Sequence, residues 1–334
     1  SSNGEEFPSD LACFVGRVSV KIINIEKIVG LCYNGFIKGR GIRAMQKKLT
    51  IPDQIALMKA EGIGFHIIDE TEAEAYITEN TVYFKIKTFA KNYEKYQRGP
   101  KKGQYVNLEF AYLKELAILD GLFRKLALDM CLNIEHSMKV QINRDFSANQ
   151  RDDGYGIVAE FLKKHNYIFR KLSKMAEKNS PYSSFLYRRF LEEPALWNLT
   201  EVLSFGEFVT FFIYYYKKFP PESPAAPLLQ PVKYLRNASA HNNAMLINMA
   251  PRKDFIPNRA LAERMAAMKI AGKGARKKRL HIPVIHDVTA TFLVFDQVVR
   301  SRGVRESTFR EWWEFMERCR IHSEYFQTND LLLA

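Results

Sequence analysis

One run of apolar residues limits the possible folds more than any other feature of the sequence. Between residues 108 and 142, apolar side chains recur every three or four positions, which is the repeat of one face of an α-helix. These side chains are Leu108, Tyr112, Leu116, Leu119, Phe123, Leu126, Met130, Ile134 and Met138. The pattern predicts a long helix that is buried along most of its length.

Most of the remaining sequence also has helical periodicity. Further helices are predicted over residues 72–96, 156–175, 205–218, 227–249, 258–270, 283–300 and 307–325, with Asp69 or Thr71 as N-cap of the first. Only residues 14–29 are rich enough in β-branched side chains to indicate a strand or hairpin. The fold class predicted is therefore all-α.

Three segments interrupt the helical pattern. Residues 98–103 form a basic turn rich in glycine, and residues 219–227 contain four prolines, which no helix can cross. Residues 272–279 combine two glycines with five basic residues and are predicted to be a flexible basic loop.

The net charge indicates a polyanionic partner. The chain has 50 Lys and Arg against 37 Asp and Glu, a net charge of +13, and a pI near 9.4. Residues 251–310 alone hold 14 basic and 5 acidic residues. Because the charge is concentrated in one segment, it favours a nucleic-acid surface over general solubility.

Several classes of protein do not fit the sequence. The longest apolar run, 208–216, has nine residues even if Thr210 is allowed, against the roughly 20 of a membrane helix. The acidic start of the chain is unlike a secretory signal, so we expect a cytoplasmic protein without a membrane partner. Its four cysteines and seven histidines show no metal-ligand spacing, and phosphate-loop and hydrolase motifs are absent. No metal and no cofactor is predicted.

The best candidate for chemistry is the segment from Arg236 to His241, which reads Arg-Asn-Ala-Ser-Ala-His. The same spacing recurs at Arg276 and His281, so spacing alone leaves open a surface arginine and a helix-capping histidine. On one helix the two side chains would point about 140° apart. A shared site therefore needs a break near Ala240, or two copies of the helix that meet.

In this segment the sequence resembles the Arg-Asn-x-x-x-His signature of HEPN-domain ribonucleases. Its surroundings resemble bacterial abortive-infection (Abi) proteins of the AbiD/AbiF type, over residues 46–250. The matching blocks are residues 51–55, 59–63, 83–87 with Tyr93, 119–124, 134–135, 197–199 and 203–206. The sequence departs from the family at Lys139, where we expect arginine.

The resemblance implies a HEPN-like helical bundle with additional N- and C-terminal helices. It also implies a metal-independent endoribonuclease, acting in phage defence or as a toxin, whose homodimer brings two motifs together. His241 would be the general acid/base, Arg236 would stabilise charge on the phosphoryl oxygens, and Asn237 would orient either one. Histidine ordinarily titrates near pH ~6.5 and arginine binds phosphate with a planar fork of donors, which suits these roles. Some AbiF-like proteins are encoded with a structured non-coding RNA, and the positive charge suits a stably bound RNA.

The predicted long helix contains three further candidate site residues, Asp120, Arg124 and Glu135, which we predict to form a polar network that supports the site. A buried ion pair or network with a purely structural role is at least as reasonable for these residues as a role in catalysis. Contacts to RNA are predicted for the two basic segments, with a solvated basic surface as the alternative. The residues are Lys101, Lys102, Lys273, Arg276, Lys277, Lys278 and Arg279. The aromatic cluster within 208–216 is expected to be a buried helix face rather than a base-stacking surface.

The sequence predicts four regions. They are an appendage at 1–44, a helical region at 45–103, the HEPN-like domain at 104–250 and a basic helical region at 251–334. The alternative to a nuclease is a non-catalytic RNA-binding protein that scaffolds a structured non-coding RNA. A DNA-binding regulator is a third possibility.

Overall fold

A computed structural model describes residues 48–178, 180–247 and 249–326, and within these ranges the regular secondary structure is almost entirely helical. The helices are α1 (Ile51–Ala60), α2 (Glu70–Glu79), α3 (Tyr83–Phe89), α4 (Phe110–Ser147), α5 (Gly156–Lys164), α6 (Asn166–Glu177), α7 (Ser184–Glu192), α8 (Leu196–Val202), α9 (Phe205–Lys218), α10 (Leu229–Ala240), α11 (Arg259–Ala267), α12 (Lys273–Leu280), α13 (Pro283–Val298) and α14 (Arg302–Arg318). Two short strands, β1 (Ile63–Gly64) and β2 (Leu108–Glu109), pair in parallel. The all-α prediction is confirmed; the strand predicted at 14–29 and the appendage at 1–44 lie outside the described residues.

The chain divides into two compact units, each made from separate stretches of sequence. Among the described residues, the first unit contains 48–128, 237–289 and 307–326, and the second contains 129–236 and 290–306. The four regions predicted from the sequence remain a prediction, because they rest on composition and resemblance.

The core of the first unit contains a cluster of aromatic rings on α4 and α14. Phe123 meets Trp312 edge to face, with ring centroids 5.6 Å apart, and Phe315 packs against both rings. Trp312 is fully buried. The predicted long helix is thus real, and its apolar repeat is buried except at Leu126, which is partly exposed; Leu108 is buried too, but lies in β2 just before the helix.

The N-terminus of α2 provides a test of helix capping. The Asp69 side chain accepts a hydrogen bond from the backbone N–H of Glu72 at 2.8 Å, so Asp69 is the N-cap and Thr71 lies inside the helix. We expect Asp69→Ala to lower the free energy of unfolding by about 1 kcal/mol, because the cap bond is lost. Urea denaturation monitored by circular dichroism measures this change.

Thr71→Ala is the matched control, since it removes a hydroxyl two residues away without removing the cap. Its unfolding free energy should stay within about 0.5 kcal/mol of the parent. Equal losses in the two variants would contradict the assignment of Asp69 as N-cap.

In the second unit, α9 presents an aromatic face to the core. Phe208, Phe211, Phe212, Tyr215 and Tyr216 are buried, and Tyr214 is partly exposed. The Phe211 ring packs edge to face against Phe161 of α5, with centroids 5.0 Å apart. The expectation of a buried helix face is therefore confirmed for most of the cluster.

Several predicted boundaries were wrong for local reasons. The helix expected over 72–96 is broken between α2 and α3, where Asn80 and the β-branched Thr81 and Val82 have low helix propensity and Val82 is extended. The helix expected over 156–175 is divided at His165, whose ψ of 52° is not helical. Helices α7 and α8 were not predicted.

The basic segment 272–279 was also predicted incorrectly, as a flexible loop. The structure has helix α12 there, with Gly272 as the residue before its first turn. Lysine, arginine and alanine are strong helix formers, and the single interior glycine, Gly274, lies in the first turn, where its cost is smallest. The basic residues are thus carried on a helix.

Candidate functional site

Helix α10 ends at Ala240, and His241 follows as the C-cap residue. The Asn243 N–H donates to the Ala238 carbonyl at 3.0 Å, and the Asn242 N–H donates to the Ser239 carbonyl at 3.1 Å. Asn242 has a φ of 55°, in the left-handed region. These features define a Schellman motif, with Asn242 as the left-handed residue. The helix expected over 227–249 therefore ends at Ala240, which is one of the two alternatives that a shared site required, and the His241 side chain is exposed at the helix end.

Asp120 of α4 anchors the segment that follows the turn. Its buried carboxylate accepts the backbone N–H groups of Met245 at 2.6 Å and Leu246 at 2.8 Å, and it is paired with Arg124 one turn along the helix. Burial raises the pKa of Asp120, against the two backbone N–H bonds and the positive charge of Arg124. Asp120 and Arg124 thus form a buried ion pair that holds the backbone after the motif.

Two cations hold the turn itself. The Lys85 ammonium of α3 donates to the side-chain oxygen of Asn242 at 2.9 Å and to its backbone oxygen at 3.3 Å. Arg124 donates to the carbonyl of Asn243 at 3.4 Å. Burial, and then the nearby Arg124, lower the pKa of Lys85. The residues directly after His241 are therefore fixed by side chains from two other helices of the same unit.

Lys85 is the residue that sequence reasoning missed. It lies 157 positions before its partner, in a short helix whose pattern shows no special feature. The only available signal was its place inside the block 83–87 that matches the Abi proteins.

Arg236 has a different environment, in the second unit. Its guanidinium lies over the Phe205 ring at 5.8 Å, and its Nη2 atom is 4.0 Å from Oε2 of Glu135. Neither Arg236 Nε nor Glu135 Oε2 has a hydrogen-bond partner, although both atoms are buried. The guanidinium is thus held by a ring and a nearby carboxylate, while it keeps hydrogen-bonding capacity for a further acceptor.

Glu135 and Lys139 share this cluster. The Lys139 ammonium lies 3.9 Å from Glu135 and 3.6 Å from Glu201. The lysine that departs from the family pattern therefore keeps a charge interaction with Glu135. Of the three predicted supporting residues, Asp120 and Arg124 are brought together, whereas Glu135 lies with Arg236.

Asn237 is partly buried and follows Arg236 on α10. Its backbone carbonyl accepts the N–H of His241 at 3.0 Å, the last bond of the regular helix. The predicted catalytic residues thus occupy the final turn of one helix and its cap.

The predicted RNA-contacting residues lie on two basic surfaces. Lys101 and Lys102 are exposed on the turn that contains Gly99 and Gly103. On α12, Lys273, Lys277 and Lys278 are exposed and Arg276 and Arg279 are partly buried. Residues 271–280 contain no acidic residue, so the positive charge of α12 is not balanced by acidic residues within the helix itself.

Neither a metal-binding group nor a membrane span is found in the described part of the chain. Among its residues no group of three His, Cys, Asp or Glu side chains is arranged to hold a metal ion. None of its helices is both long enough and apolar enough to cross a bilayer.

Comparison with known proteins gives one match. A family model described as "Abi-like protein" matches residues 76–247, slightly more than half of the 334 residues. The matched range contains α4, α10 and the turn with His241. No curated protein and no solved structure matches the chain.

Proposed function

The chain belongs to the Abi-like protein family, which supports a role in abortive infection against phage, and we propose that it acts there as an RNA-binding toxin with metal-independent endoribonuclease activity. The observation that carries the proposal is the end of α10. There the helix stops at Ala240, and an exposed histidine follows on a turn whose backbone is anchored by Asp120, Arg124 and Lys85. A side chain that is both exposed and positioned suits acid–base chemistry on a large substrate.

In the proposed reaction, His241 accepts the proton of a ribose 2′-hydroxyl, and the 2′ oxygen attacks the adjacent phosphorus. The bond from phosphorus to the 5′ oxygen breaks, and that oxygen takes a proton from the equivalent histidine of a second copy. The products are a 2′,3′-cyclic phosphate and a 5′-hydroxyl end. This reaction needs a homodimer, because the histidine of one copy acts as the base and the histidine of the other copy acts as the acid.

Arg236 is proposed to stabilise the negative charge that develops on the phosphoryl oxygens. Its environment supports this role, because the guanidinium is partly exposed and is held in place by the Phe205 ring and Glu135. Asn237 orients one of the two side chains. The Glu135 carboxylate positions Arg236 from a distance of 4.0 Å, and at this distance it occupies none of the guanidinium donors in a direct hydrogen bond.

The test of this function begins with the full-length protein purified from cells. Any RNA that co-purifies is sequenced, and the protein is incubated with end-labelled RNA in excess EDTA. Cleavage that leaves 2′,3′-cyclic phosphate ends is the expected result. One discrete bound RNA, with no cleavage under any condition, would instead identify a scaffold for a structured non-coding RNA.

Arg236→Lys tests the proposed role of the guanidinium. The substitution keeps the positive charge but loses the bidentate fork, so we expect the single-turnover cleavage rate to fall by about a hundred-fold. RNA affinity, measured by fluorescence anisotropy, should change by less than about three-fold, because most of it comes from other basic residues.

Lys233→Arg, on the same helix, is the control, and it should leave the cleavage rate within about two-fold of the parent. An Arg236→Lys enzyme as fast as the parent would show that charge alone is sufficient at this position, and would remove Arg236 from the proposed mechanism.

A further inference from the structure

Helix α6, helix α7 and the residues just before α7, all in the second unit, expose four aromatic side chains. The exposed fractions are 59% for Tyr167, 45% for Phe169, 87% for Tyr182 and 60% for Phe185. Residues 161–192 also hold eight Lys and Arg against two Asp and Glu. Exposed rings interleaved with positive charge are typical of surfaces that bind single-stranded nucleic acid.

A cleft of about 460 Å³ lies beside this surface, between α5 and α6. Its lining is mainly apolar, with Tyr155 and Phe169 as its aromatic residues and Lys163 and Asn166 as polar ones. This volume is within the range of small-ligand sites and is sufficient for one base with its ribose. The cleft therefore combines a ring that a base can stack on with a cation beside it.

The acidic groups near the cleft are already engaged. The Asp153 carboxylate accepts the backbone N–H groups of Tyr155 at 2.9 Å and Gly156 at 2.8 Å, and these bonds lower its pKa. Glu193 accepts hydrogen bonds from the Tyr155 hydroxyl at 3.1 Å and from the side chain of Asn198. These hydrogen bonds fix the two carboxylates without neutralising them, and the positive charge that favours a phosphate backbone comes from residues 161–192.

We propose that this cleft captures one unstacked base of a single-stranded RNA. The base stacks on Phe169, Tyr155 forms the end of the cleft, and Lys163 contacts the adjacent phosphate. Arg170, whose Nε donates to Asn166 at 3.0 Å, lies at the same rim and adds to the positive field. Double-stranded RNA is excluded, because its bases are stacked and paired and cannot enter the cleft. The inference rests on the proposed function and adds a determinant of substrate choice.

The experiment measures binding rather than cleavage, in a His241→Ala background, so that the substrate stays intact. The probe is a fluorescein-labelled single-stranded RNA of about 12 nucleotides, within the usual site size of such surfaces, together with its duplex form. Phe169→Ala should weaken binding of the single strand by about ten-fold and leave duplex binding unchanged, because one base-stacking contact is lost. Lys163→Ala should instead reduce the slope of log affinity against log salt by about 0.7.

Phe169→Trp keeps a ring in the cleft and supplies a spectroscopic signal. It should bind the single strand with parent affinity, and its fluorescence should be quenched by RNA more than that of the parent, which has three tryptophans elsewhere. Phe84→Ala is the control, since it removes an exposed ring on α3, outside this surface and the cleft, and should leave affinity unchanged.

Parent-like affinity in Phe169→Ala, or equal weakening for single strand and duplex, would overturn the base-capture site even if the protein cleaves RNA. Base capture with no cleavage by the parent protein would uphold the site while the nuclease proposal fails. Absence of RNA binding in the parent would remove both.

Discussion

Replacing His241 by alanine should lower the rate of RNA cleavage by about a thousand-fold or more, while RNA affinity stays within about two-fold of the parent. General acid–base catalysis contributes roughly 10²- to 10⁴-fold, and this side chain serves in both proton transfers of the proposed dimer. Affinity is kept because the lysines and arginines, rather than a single histidine, release counterions from the RNA. The rate is measured under single-turnover conditions with end-labelled RNA in EDTA, and the affinity by fluorescence anisotropy.

His136→Ala is the matched control, because His136 is an exposed histidine on α4 outside the motif. This variant should cleave RNA at the parent rate. If His241→Ala retained most of the activity, or lost affinity in proportion to rate, His241 would be a binding residue or a structural cap, and the proposed mechanism would fail.

Asp120→Ala is expected to lower the free energy of unfolding by about 3–5 kcal/mol, the range found when one partner of a buried ion pair is removed. The substitution leaves the backbone N–H groups of Met245 and Leu246 without their acceptor and Arg124 without its buried partner. Each unsatisfied buried group has a desolvation cost of its own. Chemical denaturation measures the loss, and cleavage should fall with it because the turn carrying His241 is released.

Asp120→Asn should destabilise the protein less than alanine, since an amide oxygen can still accept one or both backbone bonds. Glu70→Ala is the control: it breaks the exposed pair between Glu70 and Lys59 and should cost no more than about 1 kcal/mol. A loss of similar size in Asp120→Ala and Glu70→Ala would show that the Asp120 network contributes little to stability.

Much of the helical architecture follows from local sequence. The predicted bounds of α9 match the structure because a Ser204–Glu207 capping box begins the helix and a proline-rich segment follows it. The break at His165 was missed, because apolar periodicity continues across it and gives no sign of a change in direction. The division of the chain into two compact units could not be predicted from local sequence, because each unit combines segments that lie far apart in the sequence.

The candidate site was predictable only where its residues are neighbours in the chain. Arg236, Asn237 and His241 form one short string, and their helical geometry indicated the break at Ala240. Apart from the Phe205 ring, the contacts that hold them come from α3 and α4, about a hundred or more positions away, as Lys85, Asp120 and Glu135 show. Such partners are chosen by tertiary packing, which a periodic pattern does not encode.

The left-handed backbone at Asn242 limits how this part of the molecule can evolve. Only glycine, asparagine and a few similar residues adopt that conformation readily, and a β-branched residue there would unwind the cap. Glycine would keep the turn but lose the side-chain oxygen that binds Lys85. In a library of all amino acids at position 242, selection would therefore keep the residues that tolerate the backbone of a helix end. A narrow range of accepted residues beside the histidine would report backbone geometry rather than participation in a reaction.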